Sequence, residues 1–206
     1  MTAYISALLL AAGTSSRMGT PKPLLKWRGE HLVNYQIESL FNGGANEVIL
    51  VLGHEHQNVI KTITPNNHNR IKITVNSDYK TGKTSSIKSG LKHVAKDSTA
   101  IILLAIDQPR SPKTISRVLT GHISINAIIT SPKYNGLGGH PLIFSSVLKT
   151  ELNNIDEQTQ GIRKVLKLHN PEINSLNIDD PSLRLDFNTP EAVSYTHLTL
   201  PTTPYV

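Results

Sequence analysis

The sequence predicts an α/β fold with a mostly parallel sheet, and three observations carry that prediction. Short apolar, β-branched runs alternate with amphipathic stretches of about 10–12 residues, the pattern of strands joined by helical crossovers. The runs at 5–10, 47–52 and 100–106 are apolar without alternation, as strands covered on both faces must be. At 206 residues and 22.6 kDa the chain is long enough to bury the core such a sheet needs.

Taken in order, residues 5–10 form the first buried strand and run into a Gly/Ser-rich loop. Residues 32–41 set Leu32, Tyr35, Ile37, Leu40 and Phe41 on one helical face and stop at Asn42-Gly43-Gly44. Residues 47–52 (EVILVL) are the second buried strand, followed by a short helix over 57–63 and a turn at 65–69. Residues 71–75 alternate as a third strand, and 84–96 space Ile87, Leu91 and Val94 helically. Residues 100–106 (AIILLAI) are the most hydrophobic strand, and 111–119 open a helix with Pro112 in the first turn. A strand at 127–130 follows. Beyond it come a loop at 132–139, a short strand at 142–144, helices near 145–152 and 161–168, and strand-like pieces at 175–178 and 183–187. Thr189 and Pro190 look like the cap and first residue of a last helix. Residues 195–206 carry four Thr and two Pro with no charge and no period. That run resembles translated cloning or sequencing-adapter sequence, so residues 1–194 are expected to form one natural domain and 195–206 a non-native tail.

Composition narrows the function. The chain has no cysteine, which excludes disulfides, thiolate zinc sites and a cysteine nucleophile. Its apolar runs, such as those near 8–12 and 100–106, fall far short of the ~18 residues of a membrane span, and the N-terminus lacks the basic start of a signal peptide. The expectation is a cytoplasmic protein with no membrane partner. The net charge of +6 lies wholly in the first hundred residues, which carry 12 Lys/Arg against 6 Asp/Glu, whereas the remainder carries 9 of each. An anionic partner is therefore expected in that half. With 5% aromatics and no basic stripe interleaved with them, a nucleic-acid stacking platform is not expected; phosphorylated small molecules fit as well, and composition alone does not separate the two. With no recognised nucleic-acid motif, and with the charge accompanying a small-molecule loop, the expectation is no nucleic-acid partner.

Parallel sheets bind ligands beyond the carboxyl ends of their strands, so chemistry is expected just after Leu10, Val75 and Ile106. After Leu10 come Ala11, Ala12 and Gly13, small residues that let backbone N–H groups approach an anion, with Gly13 and Gly19 permitting unusual backbone angles. Arg17 and Lys22 follow as fixed positive charges suited to phosphates. The glycine spacing is not that of the dinucleotide fingerprint, and Gly82-Lys83-Thr84 is no P-loop, because Ser77 stands where the earlier glycine is required. After Val75, Asn76 offers hydrogen bonds to a base or ribose, and Ser85 and Ser86 offer hydroxyls and helix-terminal amides. Asp107 ends the most hydrophobic strand with a carboxylate, a position that by itself also suits a cap or turn residue.

The run Leu9-Leu10-Ala11-Ala12-Gly13-Thr14-Ser15-Ser16-Arg17-Met18-Gly19-Thr20-Pro21-Lys22-Pro23-Leu24-Leu25 resembles the signature of the molybdopterin nucleotidyltransferase family, in the form found in its molybdenum cofactor cytidylyltransferase branch. Similarity continues through Asn76–Leu91, Asp107-Gln108-Pro109, Gly139-His140-Pro141, Gly161-Ile162-Arg163 and Asp186-Phe187-Asn188-Thr189-Pro190-Glu191. The resemblance implies a Rossmann-like three-layer α/β/α nucleotidyltransferase fold, with the N-terminal half binding NTP and the C-terminal half the acceptor. It implies transfer of an NMP, CMP from CTP in the first instance, onto the phosphate of molybdopterin with release of pyrophosphate. Guanylyl transfer to the same cofactor, transfer to a sugar or alcohol phosphate, and a non-catalytic nucleotide-binding module stay open. Leu10, Ala11, Ala12, Gly13, Arg17, Lys22, Asn76, Ser85 and Ser86 are then the nucleotide-binding residues, and Arg17, Lys22 and Asp107 the catalytic ones. Mg2+ would be held by Asp107 with either Asp186 or Asn188; Asp186 is favoured because an ionised carboxylate binds a hard cation better than an amide does. His140 and Arg163 would face a phosphorylated pterin acceptor, and a molybdoenzyme or its chaperone is the implied protein partner.

Overall fold

The structure, a computed structural model, describes residues 3–15, 19–64 and 68–187. Arg17, Asn188, the helix start at Thr189-Pro190 and the tail at 195–206 lie outside the described residues. In chain order the elements are β1 (Ile5–Ala11), β2 (Lys26–Trp27), β3 (Glu30–His31), α1 (Leu32–Asn42), β4 (Glu47–Leu52), α2 (His56–Ile60), β5 (Ile71–Val75) and α3 (Lys83–Leu91). They continue with β6 (Ala100–Ala105), α4 (Pro112–Ser124), β7 (Ile129–Tyr134), β8 (Leu137–Gly138), β9 (Leu142–Ser145), α5 (Lys149–Asn153), α6 (Ile162–Leu168) and β10 (Ile173–Asn177).

The main sheet runs β10-β7-β9-β6-β1-β4-β5, with β8 attached to β7, while β2 and β3 pair separately. β6, β1, β4 and β5 are parallel, and β9 is antiparallel to both β6 and β7. The sheet is thus mostly parallel, in three layers. Because successive side chains of a strand point to opposite faces, Ala7 and Leu9 of β1 join Leu32, Ile37 and Leu40 of α1 and Ile115 and Val118 of α4 on one side. Leu8 and Leu10 join Ile87 and Leu91 of α3, Leu152 of α5 and Val165 of α6 on the other. This is why the strands at 47–52 and 100–105 read as unbroken apolar runs: every residue of β4 and β6 is buried. β5 is the sheet edge instead, and leaves Ile73 and Val75 exposed.

Four expectations are corrected. The helix expected to 96 ends at Leu91, because the Ala95 N–H is taken by Oε1 of buried Glu47 at 2.8 Å rather than by a helical carbonyl. Val94 stays buried nonetheless. The loop expected over 132–139 is a hairpin, β7 turning into β8 through Asn135 and Gly136 at φ 50° and 76°. Asn-Gly is the dipeptide such a turn requires. Residues 183–187 form no strand; a 3-10 turn at Pro181–Arg184 leads into an irregular stretch whose carbonyls are taken by the Arg110 side chain. Of the two glycines expected to sit at unusual angles, only Gly19 has a positive φ.

Candidate functional site

Every parallel strand of this sheet stops at the same edge, and the loops leaving β1, β6 and β5 enclose a cavity of about 510 Å³ there. Leu10, Ala11, Ala12 and Gly13 form one wall as β1 ends. A Cβ added at Gly13 would meet nothing within 4 Å, so the chain leaves open space at that point, as close approach of a ligand to the backbone demands. Lys22 enters from the turn after this loop, where its own N–H donates to Ser15 Oγ at 2.9 Å and fixes the return of the chain. Its Nζ donates to Asp107 Oδ2 at 2.7 Å, across the carboxyl end of β6. Both side chains keep some solvent contact, so the pair is accessible from the cavity.

The third wall comes from the start of α3. Gly82, at φ 122°, precedes the helix, and a Cβ there would lie 2.5 Å from the Glu157 side chain. Glu157 Oε2 accepts the Thr84 N–H at 3.0 Å, a helix cap supplied from a distant loop. Ser86 Oγ accepts from Asn76 Nδ2 at 3.0 Å, which leaves its own O–H as a donor on the cavity wall. Tyr79, Lys80 and Lys83 complete this side. On the far side of Lys83 lies a second cavity of about 400 Å³, bounded by Ile87, Glu157, Gln160, Ile162 and Arg163.

Of the residues named from sequence, Leu10, Ala11, Ala12, Gly13, Lys22, Ser86 and Asp107 meet on the first cavity, and Arg163 lines the second. Asn76 is on neither wall. It is buried, its amide donates to Ser85 Oγ and Ser86 Oγ, and its carbonyl accepts the Asp78 N–H, so its hydrogen bonds set the α3 approach. Ser85 is likewise off the wall and returns its hydroxyl to main-chain carbonyls of Asp78 and Gly82. His140 lines neither cavity; burial first, then the nearby Lys83 and Arg110 charges, pull its imidazole down to about 4, so it is neutral at pH 7. Asp186 is also off the wall, but the Phe187 N–H donates to the Asp107 carbonyl at 2.8 Å and holds Asp186 beside the end of β6. The sequence reading missed Tyr79, Lys83, Glu157 and Arg110. Lys83 and Tyr79 sit inside the 76–91 stretch already singled out, whereas Glu157 carried no local signal at all.

A family model for the MobA-like NTP transferase domain matches residues 7–173, which takes in both cavities. The chain belongs to that family. Among curated proteins, this MobA-like NTP transferase is 31% identical over 196 residues to the nicotine blue oxidoreductase of Paenarthrobacter nicotinovorans, covering 91% of this chain and 93% of that one. It is 27% identical over 187 residues to the molybdenum cofactor cytidylyltransferase of Escherichia coli K12, covering 91% and 92%. Among solved structures it resembles Rv0371c of Mycobacterium tuberculosis H37Rv, with a TM-score of 0.83 at 25% identity over 97% of this chain and 100% of that one. A manganese complex of the same mycobacterial protein has a TM-score of 0.74 at 22% identity, over 96% and 100%. The MobA-like chain is thus a nucleotidyltransferase of Rossmann-like α/β fold. Among its described residues no helix is long and apolar enough to cross a membrane.

Proposed function

We propose that the chain transfers CMP from CTP to the phosphate of a molybdopterin-type acceptor and releases pyrophosphate. The observation that carries this reading is the Lys22–Asp107 pair at the joined ends of β1 and β6, on the wall of a cavity separated from a second one by Lys83. The 27% identity to a molybdenum cofactor cytidylyltransferase supports the choice of base and acceptor.

In this reading the backbone at Ala11–Gly13 and the loop after it cradle the triphosphate, and Tyr79 covers the base. The acceptor occupies the second cavity, its phosphate drawn by Lys83 and Arg163 and its ring set against Ile87 and Ile162, with His140 a neutral group nearby. An acceptor phosphate oxygen attacks the α-phosphorus in line. The bond from that phosphorus to the bridging oxygen breaks, and the electron pair leaves with pyrophosphate. No base is required, because the attacking phosphate is already ionised at pH 7. Acceleration comes from alignment and from Arg17 and Lys22 offsetting charge on the α-phosphate and the leaving group.

The donor set fits a hard divalent cation. Asp107 Oδ2 accepts from Lys22 Nζ at 2.7 Å, which supports a cation on its cavity side; among the described residues no group of three or more His, Asp or Glu gathers, so protein side chains alone would not complete a shell. Phosphate oxygens would complete the shell, which is how Mg2+ prefers to bind. Asp107, with Asp186, would hold Mg2+, which supplies charge neutralisation across the phosphates. The manganese complex of the mycobacterial relative supports a divalent ion of this kind.

A second reading rests on the 31% identity to an oxidoreductase that acts on nicotine blue: the first cavity would then take a nucleotide used in electron transfer. One panel separates the two. Thermal unfolding is followed with CTP, GTP, ATP, UTP, NADH and NADPH, each with and without Mg2+. A ligand at 100 times its Kd stabilises by about 2.7 kcal/mol. A magnesium-dependent shift with CTP alone supports cytidylyl transfer, and one with GTP moves the base assignment to guanine. A metal-independent shift confined to NADH or NADPH overturns the reading in favour of the second.

A further inference from the structure

Arg110 is 1% exposed, and its four side-chain hydrogen bonds all go to main-chain carbonyls. Nε donates to His140 at 2.8 Å, one terminal nitrogen to Pro109 at 2.8 Å and Leu185 at 3.1 Å, and the other to Leu183 at 2.8 Å. Its own N–H donates to Gln36 Oε1, and Gln36 Nε2 returns to the Gln108 carbonyl, so the residue is anchored from both sides. Three separate segments therefore converge on one guanidinium: the turn after β6, the chain at His140 and the irregular stretch 183–187.

We infer that Arg110 is a positioning residue, one that draws the segment bearing Asp186 against the end of β6 and so sets Asp186 beside Asp107 as a joint pair for a divalent cation. The inference rests on the metal assignment under Proposed function and adds what makes the second carboxylate available. Residues 183 and 185 are held by Arg110 and residue 187 by the Asp107 carbonyl, so Asp186 lies between two fixed points. The stretch has no strand partner: Leu183 and Phe187 anchor it in the core by packing, and the Arg110 bonds to the carbonyls of 183 and 185 fix how its backbone runs between those two anchors. Electrostatics agrees with the geometry. Among the described residues no acidic side chain hydrogen-bonds the guanidinium, so its charge acts on Asp107, Asp180 and Asp186 together and eases the approach of like charges. Burial brings it down to about 10, which leaves it charged at neutral pH. An ordinary core residue of the same volume would fill the space but would leave four buried carbonyls without donors.

The test uses Arg110→Lys, Arg110→Met, Asp186→Asn and the double variant Arg110→Lys/Asp186→Asn in the full chain. Unfolding without ligand first shows which variants fold. MnCl2 is then titrated at fixed CTP, and the metal concentration giving half the rise in unfolding temperature is recorded. Arg110→Lys keeps the charge but reaches fewer carbonyls. It and Asp186→Asn should each raise the half-saturating concentration by about 10-fold or more, the size typical of losing a group that orients a metal ligand. Metal-free CTP binding stays unchanged, and the double variant is no worse than the weaker single. Arg110→Met that fails to fold leaves the result to Arg110→Lys. A folded Arg110→Lys with an unchanged metal response, or a double variant whose effects multiply, overturns the positioning role. A wild-type chain with no manganese-dependent shift overturns the metal assignment and this inference with it.

Discussion

At the scale of single residues, Lys22 and Asp107 are the pair on which the account depends. They are separated by 85 positions in the chain and by 2.7 Å in the fold. A lysine whose charge meets a developing phosphate charge acts chiefly in the transition state. Lys22→Ala should therefore lower kcat by roughly 10²–10³, with the fold retained, in a pyrophosphate-release assay. Both members were legible in the sequence because small residues, glycines and cations followed one buried strand and a lone carboxylate ended another. Asn76 was legible as a polar residue at a strand end, but not in its role. Its partners, Ser85 and Ser86, stand on the next helix, and only folding decides whether such a group faces a ligand or its neighbours. Arg110 was illegible for the same reason, since its carbonyl partners extend to residue 185.

A second residue-scale consequence concerns pH. His122 is buried, with Nδ1 2.9 Å from Thr130 Oγ1, and burial pulls its imidazole from 6.5 down to about 4. The unfolded chain thus holds this proton over a range where the folded chain does not. The contribution to stability is complete above pH 6.5 and is lost as pH falls toward 4. Unfolding temperatures measured from pH 8 to 4 should fall on the acid side, and less steeply in His122→Asn. An unchanged slope in that variant would remove His122 from the explanation.

At the scale of elements, helix starts were read better than helix ends. Ser111 caps α4 by accepting the Thr114 N–H at 3.1 Å, with Pro112 in the first turn as expected from the sequence. Ser111→Ala should cost about 1 kcal/mol in chemical denaturation, because one orphan N–H of the first turn loses its acceptor. The end of α3 depends instead on Glu47, more than forty residues away, so no local pattern could mark it. The β7–β8 hairpin is the opposite case. Asn135-Gly136 was present as a turn signal, and the surrounding polar residues hid it because two-residue β8 is too short to alternate. The cap on α3 from Glu157 belongs with α3's end: its donor and acceptor come from different halves of the chain.

At the scale of the whole molecule, the sheet explains why the site lies where it does. Four parallel neighbours end at one edge, and their loops bring residues from positions 10 to 107 around a single cavity. Apolar runs without alternation announced these strands, since central parallel strands must be apolar on both faces. The strand order was not announced: β9 enters antiparallel between β6 and β7, and pairing across such distances is decided by packing rather than by local sequence. The basic excess of the first hundred residues likewise resolves only in part into a site, with Lys22, Lys80 and Lys83 on the first cavity.

The central claim is that this edge of the sheet carries nucleotidyl transfer to a phosphorylated acceptor. It is tested most directly by incubating the chain with CTP labelled at the α-phosphate, Mg2+ and molybdopterin, and following both the label and pyrophosphate. The account predicts label on the acceptor, one pyrophosphate per transfer, and loss of both in Lys22→Ala. Absence of label on the acceptor and of pyrophosphate with a folded wild-type chain, from CTP and from GTP, ATP and UTP labelled in the same way, would contradict it.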